Sequence, residues 1–296
     1  MIGILGASGY IGQSFISELI RQNVSFREYS REKHNYNNLK SLIDIIHTDG
    51  LSILINCAGY TGKPNVDACE RNKNACYQAN VELVRVITTA CALADVTLLH
   101  ISSGCIYTGD NDGKGFTEED EPNFHSRSEI KGSFYSDTKT LAESIIHSAW
   151  EKSYIARLRI PFDGVDSPRN YLTKLQKYEK LLEAENSISH RGDFVEACIH
   201  LLKNKAEFGI YNIVNSGAIL TSQVVELLKE ANLLGSYEMI SEEEFYKQVK
   251  ADAPRSNCIL DNSKLINSGF NMRTSQEALR SAIDELKQQK ESPVKE

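Results

Sequence analysis

The sequence predicts an α/β fold of the Rossmann type: a doubly wound parallel sheet with a smaller C-terminal substrate lobe. Three observations carry that expectation. Short apolar runs alternate with helical patterns as far as Ile160, the string Gly6-Ala7-Ser8-Gly9-Tyr10-Ile11-Gly12 directly follows the first of these runs, and the pattern shortens after Pro161. Such alternation requires right-handed βαβ crossovers and a sheet covered on both faces.

Strands are expected at Ile2–Leu5, Val24–Tyr29, Leu51–Asn56, Thr97–Ser102 and Tyr154–Ile160, with helices at Tyr10–Arg21, Leu39–His47, Cys76–Ala94 and Phe134–Trp150. Beyond Pro161, helices are expected near Arg169–Leu182, Asp193–Leu202, Thr221–Ala231 and Ser275–Gln288, and strands near Tyr211–Val214 and Cys258–Leu260. The domain reading is 1–161 for dinucleotide binding and 162–290 mainly for a substrate lobe, with segments returning to the core. A polar tail starts near Lys287 and is expected to fray over 291–296.

A chain of 296 residues has ample core for one large domain with an appended lobe. The net charge of -7 argues against a general nucleic-acid or anionic-membrane surface and leaves room for a local basic pocket, so the expected partner is a small molecule. Seven cysteines are scattered, with no CxxC pair and no metal-ligand cluster with histidine, which reads as reduced thiols and no metal site. No apolar run approaches the roughly 18 residues of a bilayer span, and no basic n-region precedes Ile2. A cytoplasmic protein without a membrane partner is the expectation.

The glycine string has a physical use in its place between strand and helix. Gly6 permits the tight turn, Gly9 lets the backbone approach a pyrophosphate at the helix N-terminus, and Gly12 allows helix and sheet to pack closely. Ser8, Tyr10 and Ile11 stand between them and are read as cofactor contacts. Near the end of the second strand, Ser30 and Arg31 occupy the place where an NAD site usually presents an acidic residue. Arg31 suits a 2′-phosphate, so NADP(H) is favoured. Glu28 keeps NAD(H) open, and a solvated surface arginine is the plain alternative. Cys57, Ala58 and Gly59 close the third strand with small residues that suit a backbone lying against the cofactor.

Tyr135 and Lys139 fall at i and i+4 at the start of a predicted helix, on one face. A neighbouring ammonium and a bound nicotinamide cation favour phenolate, which lowers a phenol toward the working range of a proton donor. Ser103, ending the preceding strand, can share the carbonyl oxygen.

With Asn80 between them, these elements resemble the extended short-chain dehydrogenase/reductase superfamily. The resemblance implies hydride transfer to a ketone carbon, with Tyr135 giving the proton, Ser103 holding the oxygen and Lys139 tuning the tyrosine and gripping the nicotinamide ribose. It also puts Asn80 and Pro161 among the cofactor-binding residues.

Further strings narrow the resemblance. They are Ala58–Asp67 with Cys69-Glu70, Gly104–Tyr107, Gly115–Phe124, Gly132–Ser136, Ser167–Asn170, Leu172–Lys174, Tyr178–Lys180 and Ala253–Asn257 with Leu260-Asp261. They are similar to the bifunctional 3,5-epimerase/4-reductases acting on UDP-4-keto-6-deoxyglucose, and to dTDP-4-dehydrorhamnose reductases. That resemblance implies a nucleotide-diphosphate sugar substrate and associates Cys105 and Lys174 with epimerisation. The plain alternatives are a buried inert thiol and a surface lysine. Arg169 and Arg255 are candidate diphosphate contacts or structural salt-bridge arginines. Asn65 and Asn170 are candidate sugar or uracil contacts or loop caps.

Two departures bear on the substrate. Ser103 is followed by Gly104-Cys105 instead of the Asp-Glu pair that resembles 4,6-dehydratases, and a polar stretch over 125–131 looks inserted just before the catalytic helix. A 4-reductase without epimerase activity and a non-catalytic NADP-binding regulatory subunit stand as competing readings. Apolar residues on more than one face of the two long helices, including Leu83, Val84, Val86, Ile87, Leu141, Ile145, Ile146 and Trp150, predict a homodimer through a four-helix bundle.

Overall fold

The computed structural model describes residues 1–249 and 251–291. Five strands of the first half form as expected, with ends shifted by at most two residues: β1 (Ile2–Leu5), β2 (Phe26–Tyr29), β3 (Ile53–Asn56), β4 (Thr97–Ser103) and β5 (Ser153–Leu158). Between them lie α1 (Tyr10–Arg21), α2 (Leu39–Thr48), α3 (Asp67–Arg71), α4 (Lys73–Tyr77), α5 (Leu83–Ala94) and α6 (Phe134–Ala149). The long helix expected from Cys76 is α4 joined to α5 through a π-helical turn, Gln78–Glu82.

The second half is more finely divided. It runs β6 (Pro161–Phe162), α7 (Tyr171–Leu175), β7 (Lys180–Leu182), β8 (Glu185–Asn186), β9 (Ser189–His190), α8 (Arg191–Asn204) and β10 (Gly209–Asn212). Then come β11 (Ile219–Leu220), α9 (Thr221–Glu230), β12 (Glu238–Ile240), α10 (Glu242–Gln248), α11 (Ser263–Asn267) and α12 (Ser275–Glu291). The helix expected over Arg169–Leu182 is therefore only α7. Leu172 and Leu175 enter the core from that helix, whereas Leu181 enters it from β7, which pairs with β12. The strand expected at Cys258–Leu260 reduces to two isolated bridges, to Gly109 and Phe116. Residues Lys287–Glu291 continue α12 instead of fraying, and the remainder of the expected tail lies outside the described residues.

The main sheet has strand order β10-β5-β4-β3-β1-β2, and all its pairings are parallel. Phe15 and Leu19 of α1 and Phe194 and Leu201 of α8 cover one face. Leu42 and Ile46 of α2, Val84 and Ile87 of α5 and Ile146 of α6 cover the other. A separate lobe core gathers Phe162, Leu172, Leu181, Val224, Leu228, Leu279 and Ile283. Local signals set the helix starts: Asn38 caps α2 by accepting from Ser41 N at 3.0 Å, and Ser133 caps α6 by accepting from Ser136 N at 3.1 Å.

Most of the apolar surface expected to serve a dimer is used inside the chain. Leu83, Val84, Ile87 and Ile146 are buried and Val86 and Trp150 pack partly against the same core, so α5 and α6 leave mainly the exposed Leu93 and Leu141 and the half-buried Ile145.

Helix α6 is fastened by a buried ion pair. Glu143 accepts three bonds from Arg157 of β5, the shortest at 2.8 Å, and one from Ser102 of β4 at 2.5 Å. Arg157→Met would leave that carboxylate buried without a counter-charge. The expected loss is about 3–5 kcal/mol of folding free energy, read as a lower urea midpoint; a loss under about 1 kcal/mol would show that the pair does not hold the helix.

Candidate active site

Strand order reverses between β1 and β3, and the loops that follow them line the crevice at the carboxyl ends of the strands. The two loops touch. Gly6 has φ +72°, and a Cβ there would sit 2.7 Å from the Ala58 nitrogen; one on Gly12 would sit 2.4 Å from the Gly6 oxygen. Gly9 begins α1 without any side-chain cap, so the first-turn N–H groups are free to receive an anion. Ser8 is exposed beside them, while Ile11 and Cys57 pack partly into the core. These residues fit a dinucleotide pyrophosphate.

Beyond β2, Arg31 is exposed and lines a cleft of about 400 Å³ with Asn37, Tyr60, Gln78, Glu82 and Arg85. Ser30 is half-buried, its N–H directed to the His34 ring at 3.2 Å. Glu28 lines a different hollow of about 270 Å³, with Arg27, Tyr29, His34 and Asp49. The guanidinium and the acidic alternative thus face separate spaces.

Tyr10 has its hydroxyl already engaged. It donates to Asp163 Oδ1 at 3.0 Å, and its ring lies 4.2 Å from the Arg191 guanidinium, which also pairs with Asp163. Asn80 departs from expectation more fully. It is 1% exposed, its Oδ1 accepts from Tyr60 N, and its Nδ2 donates to Tyr60 O, Cys76 Sγ and Thr138 Oγ1. No polar atom is left for a ligand, so Asn80 acts as a brace between the loop after β3 and α6.

Tyr135, Lys139 and Ser103 converge below this crevice, at 8%, 6% and 7% exposure. Lys139 Nζ donates to Ile101 O at 2.9 Å, which leaves further N–H groups for a ligand. Burial lowers the Lys139 ammonium to about 8, with Glu143 opposing that shift. The lowering expected for the Tyr135 phenol draws on a nicotinamide cation as well as on Lys139, and the protein's own groups act the other way. Burial pushes the phenol up, the Cys105 thiol adds to the rise, and Ser103 opposes it, so Tyr135 is a protonated acid in the free protein.

Cys105 follows Ser103 on a 3-10 turn, Gly104–Ile106, with its backbone N–H given to Ser103 Oγ at 3.2 Å. Ser136, next to Tyr135, donates to Cys105 O at 2.7 Å and locks the two segments together. Cys105 Sγ receives a bond from Arg159 Nη1 at 3.1 Å. Neither Ser136 nor Arg159 was legible as a site residue, because their roles arise only from long-range contact.

Lys174 lies half-buried on α7; burial lowers its ammonium, and Arg169 lowers it further. Tyr171, one turn earlier, is pushed up by burial to about 12, and the Arg159 guanidinium opposes that shift. Arg169 reaches across the cleft to Thr61 Oγ1 at 2.8 Å. Pro161 begins β6 opposite Ser189, beside the site. Two other candidates turn inward. Arg255 is bound by both Asp67 oxygens, at 2.7 and 2.9 Å, and Asn170 is fully buried, its Nδ2 donating to Asp163 and Val165 and its Oδ1 capping α7. These contacts match the plain alternatives, a salt bridge and a loop cap. Asn65 Oδ1 caps the turn into α3 by accepting from Asp67 N at 3.0 Å. The polar stretch over 125–131 closes on itself, through Ser128 and Lys131, and touches α6 through Ser126 N to Asp137 at 2.6 Å.

The depressed Lys139 ammonium has a linkage consequence. Below pH 8 the folded state carries a buried charge, and between about pH 8 and 10.5 the unfolded chain binds the extra proton, so stability gains as pH rises through that window. Lys139→Met should remove this rise without lowering Tm at pH 7. A wild-type-like pH profile in the variant would contradict the assignment.

A family model described as the RmlD substrate binding domain matches residues 1–288. A bifunctional dTDP-4-dehydrorhamnose 3,5-epimerase/dTDP-4-dehydrorhamnose reductase of Arabidopsis thaliana is 30% identical over 269 residues, covering 88% of this chain and 85% of the relative. A trifunctional UDP-glucose 4,6-dehydratase/UDP-4-keto-6-deoxy-D-glucose 3,5-epimerase/UDP-4-keto-L-rhamnose-reductase of the same plant is also 30% identical over 269 residues, but the match spans only 38% of its length. Among solved structures, a UDP-rhamnose synthase from Acanthamoeba polyphaga mimivirus superimposes with a TM-score of 0.86 at 22% identity, covering 96% of this chain and 98% of that one. A dTDP-4-dehydrorhamnose reductase from Bacillus anthracis in complex with NADP gives 0.80 at 19% identity, covering 96% and 97%. These structural likenesses establish the fold. With its family model spanning nearly the whole described chain, this protein belongs to the RmlD substrate binding domain family.

Proposed function

We propose that the protein reduces the C4 ketone of a nucleotide-linked 4-keto-6-deoxy sugar with NADPH, after inverting C3 and C5 in the same site. The observation that carries this reading is the convergence of Tyr135, Lys139, Ser103 and Cys105 beneath an uncapped helix N-terminus. The curated relatives that match most of the chain carry reductase and epimerase names, which supports it.

The glycine turn and the α1 N-terminus would hold the pyrophosphate, and Arg31 in its cleft the 2′-phosphate. Bound there, NADPH supplies the hydride. Lys139 would grip the ribose with the N–H groups not given to Ile101. Ser103 would donate to the C4 oxygen, and the protonated Tyr135 would deliver the proton that turns it into a hydroxyl.

For inversion, Cys105 and Lys174 would serve as acid and base on opposite faces of the ring. The C–H electron pair moves into the C4 carbonyl and gives an enolate, whose oxygen Tyr135 and Ser103 can stabilise. The burial that lowers Lys174 increases its neutral, proton-accepting fraction. The seven free thiols suit a reducing compartment, which favours the cytoplasm. Among the described residues no helix is long and apolar enough to cross a membrane.

The test uses UDP- and dTDP-4-keto-6-deoxyglucose in D₂O. Expected are NADPH oxidation in preference to NADH, deuterium at C3 and C5, and a drop of at least ~10²-fold in kcat for Tyr135→Phe. Cys105→Ser should abolish deuterium at those carbons while still reducing a sugar that is already epimerised. Label-free product from wild type would leave a 4-reductase only, and NADPH binding without turnover a regulatory subunit.

We also propose a homodimer through α5 and α6, where Leu93 and Leu141 are exposed and Ile145 is half-buried. Sedimentation should give twice the mass of a 33.2 kDa chain and half of it for Leu141→Lys. A wild-type monomer at micromolar concentration would refute the interface.

A further inference from the structure

Two buried arginines stand two residues apart, one in β5 and one just past its end, and their electrostatic settings differ. Arg157 is neutralised by Glu143. Arg159, at 3% exposure, is paired with no carboxylate among the described residues. Its Nη2 donates to Asn186 Oδ1 and to Ser256 O, both at 2.5 Å, its Nε has no partner, and its Nη1 donates to Cys105 Sγ at 3.1 Å. A guanidinium buried without a counter-charge is unfavourable unless an anion forms beside it.

The surroundings enforce this placement. Arg159 N donates to Ser189 Oγ at 3.1 Å, and the next residue, the β-branched Ile160, is held at φ +39°. A branched side chain stays in that left-handed region only where the neighbouring structure over-determines it. Ser256 is fixed in turn by its own hydroxyl to Tyr107 O at 2.6 Å and by the adjoining Arg255–Asp67 pair. The other titratable groups around the sulfur and guanidinium are Tyr135 and Lys139 of α6, Tyr171 of α7, and Cys258.

We propose that Arg159 is the positioning residue for Cys105: it fixes the sulfur at the site and carries the counter-charge for the thiolate present whenever that thiol has given up its proton. This deepens the epimerase reading above and rests on it. The proton passes between sulfur and ring carbon while the electron pair of that C–H bond moves into or out of the C4 enolate, so Arg159 itself neither gains nor loses a proton. Its effect should fall on inversion, with hydride transfer to an already inverted ketone spared.

The experiment compares wild type, Arg159→Met and Arg159→Lys in two assays. The first is deuterium incorporation at C3 and C5 against reduction of the already epimerised keto sugar. Arg159→Met should lose at least 100-fold in incorporation and less than threefold in reduction, and Arg159→Lys should recover at least tenfold over the methionine variant. The second is the rate of Cys105 alkylation by iodoacetamide at pH 7.5, read by peptide mass spectrometry, which should fall at least tenfold in Arg159→Met. Equal loss of both activities, or an unchanged alkylation rate, overturns the proposal. Should Arg159→Met fail to fold, Asn186→Ala removes one of the two Nη2 contacts while retaining the guanidinium, and the same split between incorporation and reduction decides. If wild type incorporates no deuterium, the epimerase reading falls, and the alkylation rates alone decide whether Arg159 acts on Cys105.

Discussion

Glu143 is the group on which the candidate site depends. It lies one turn beyond Lys139 on α6 and accepts from Ser102 and Arg157, so the helix is tied to the two adjacent strands that supply Ser103 and lead into Arg159. The same carboxylate opposes the burial that depresses the Lys139 ammonium. Geometry and charge state therefore share one anchor. Burying such a pair is expensive in desolvation, and a hydrophobic replacement often matches it in stability. Here the pair also serves to keep a second cation, Lys139, charged inside the protein.

Polar contacts cross the cleft between sheet and lobe. Arg191 joins Asp163 and Tyr10, Arg169 meets Thr61, and Arg255 holds Asp67. Apolar packing across that gap would fill the space a charged, hydroxylated ligand must enter. The consequence for reading the site is that arginines near a nucleotide cleft need not touch the nucleotide. Arg255 organises the segment whose next residue, Ser256, clamps Arg159. Buried Asn170 and Asn80 play similar parts, each using its amide to fix a loop.

Local chemistry made the first half of the chain legible. The central strands β1 and β3 carry continuous apolar runs because both sheet faces are covered there, and the glycines at 6 and 12 are required by contacts shorter than any Cβ allows. Beyond Pro161 the elements shrink to two- and three-residue strands, as at β6, β8 and β9, which are too short to leave a periodic signal. The single helix expected across Arg169–Leu182 broke because Leu172, Leu175 and Leu181 share one core without sharing one helix.

The sequence by itself determined the sheet architecture and named the candidate site groups, because turn glycines, an i, i+4 pair and strand periodicity are properties of neighbouring residues. It also determined the order in which Ser103, Cys105, Tyr135 and Lys139 meet the crevice. The tertiary structure alone decided which charges are neutralised: Arg255 and Arg157 have carboxylates, whereas Arg159 has a thiol. It alone decided that Tyr135 is raised and Lys139 lowered, since burial dominates both shifts and depends on segments far apart in the chain. Pairing and desolvation are set by distances between residues that no sequence spacing encodes.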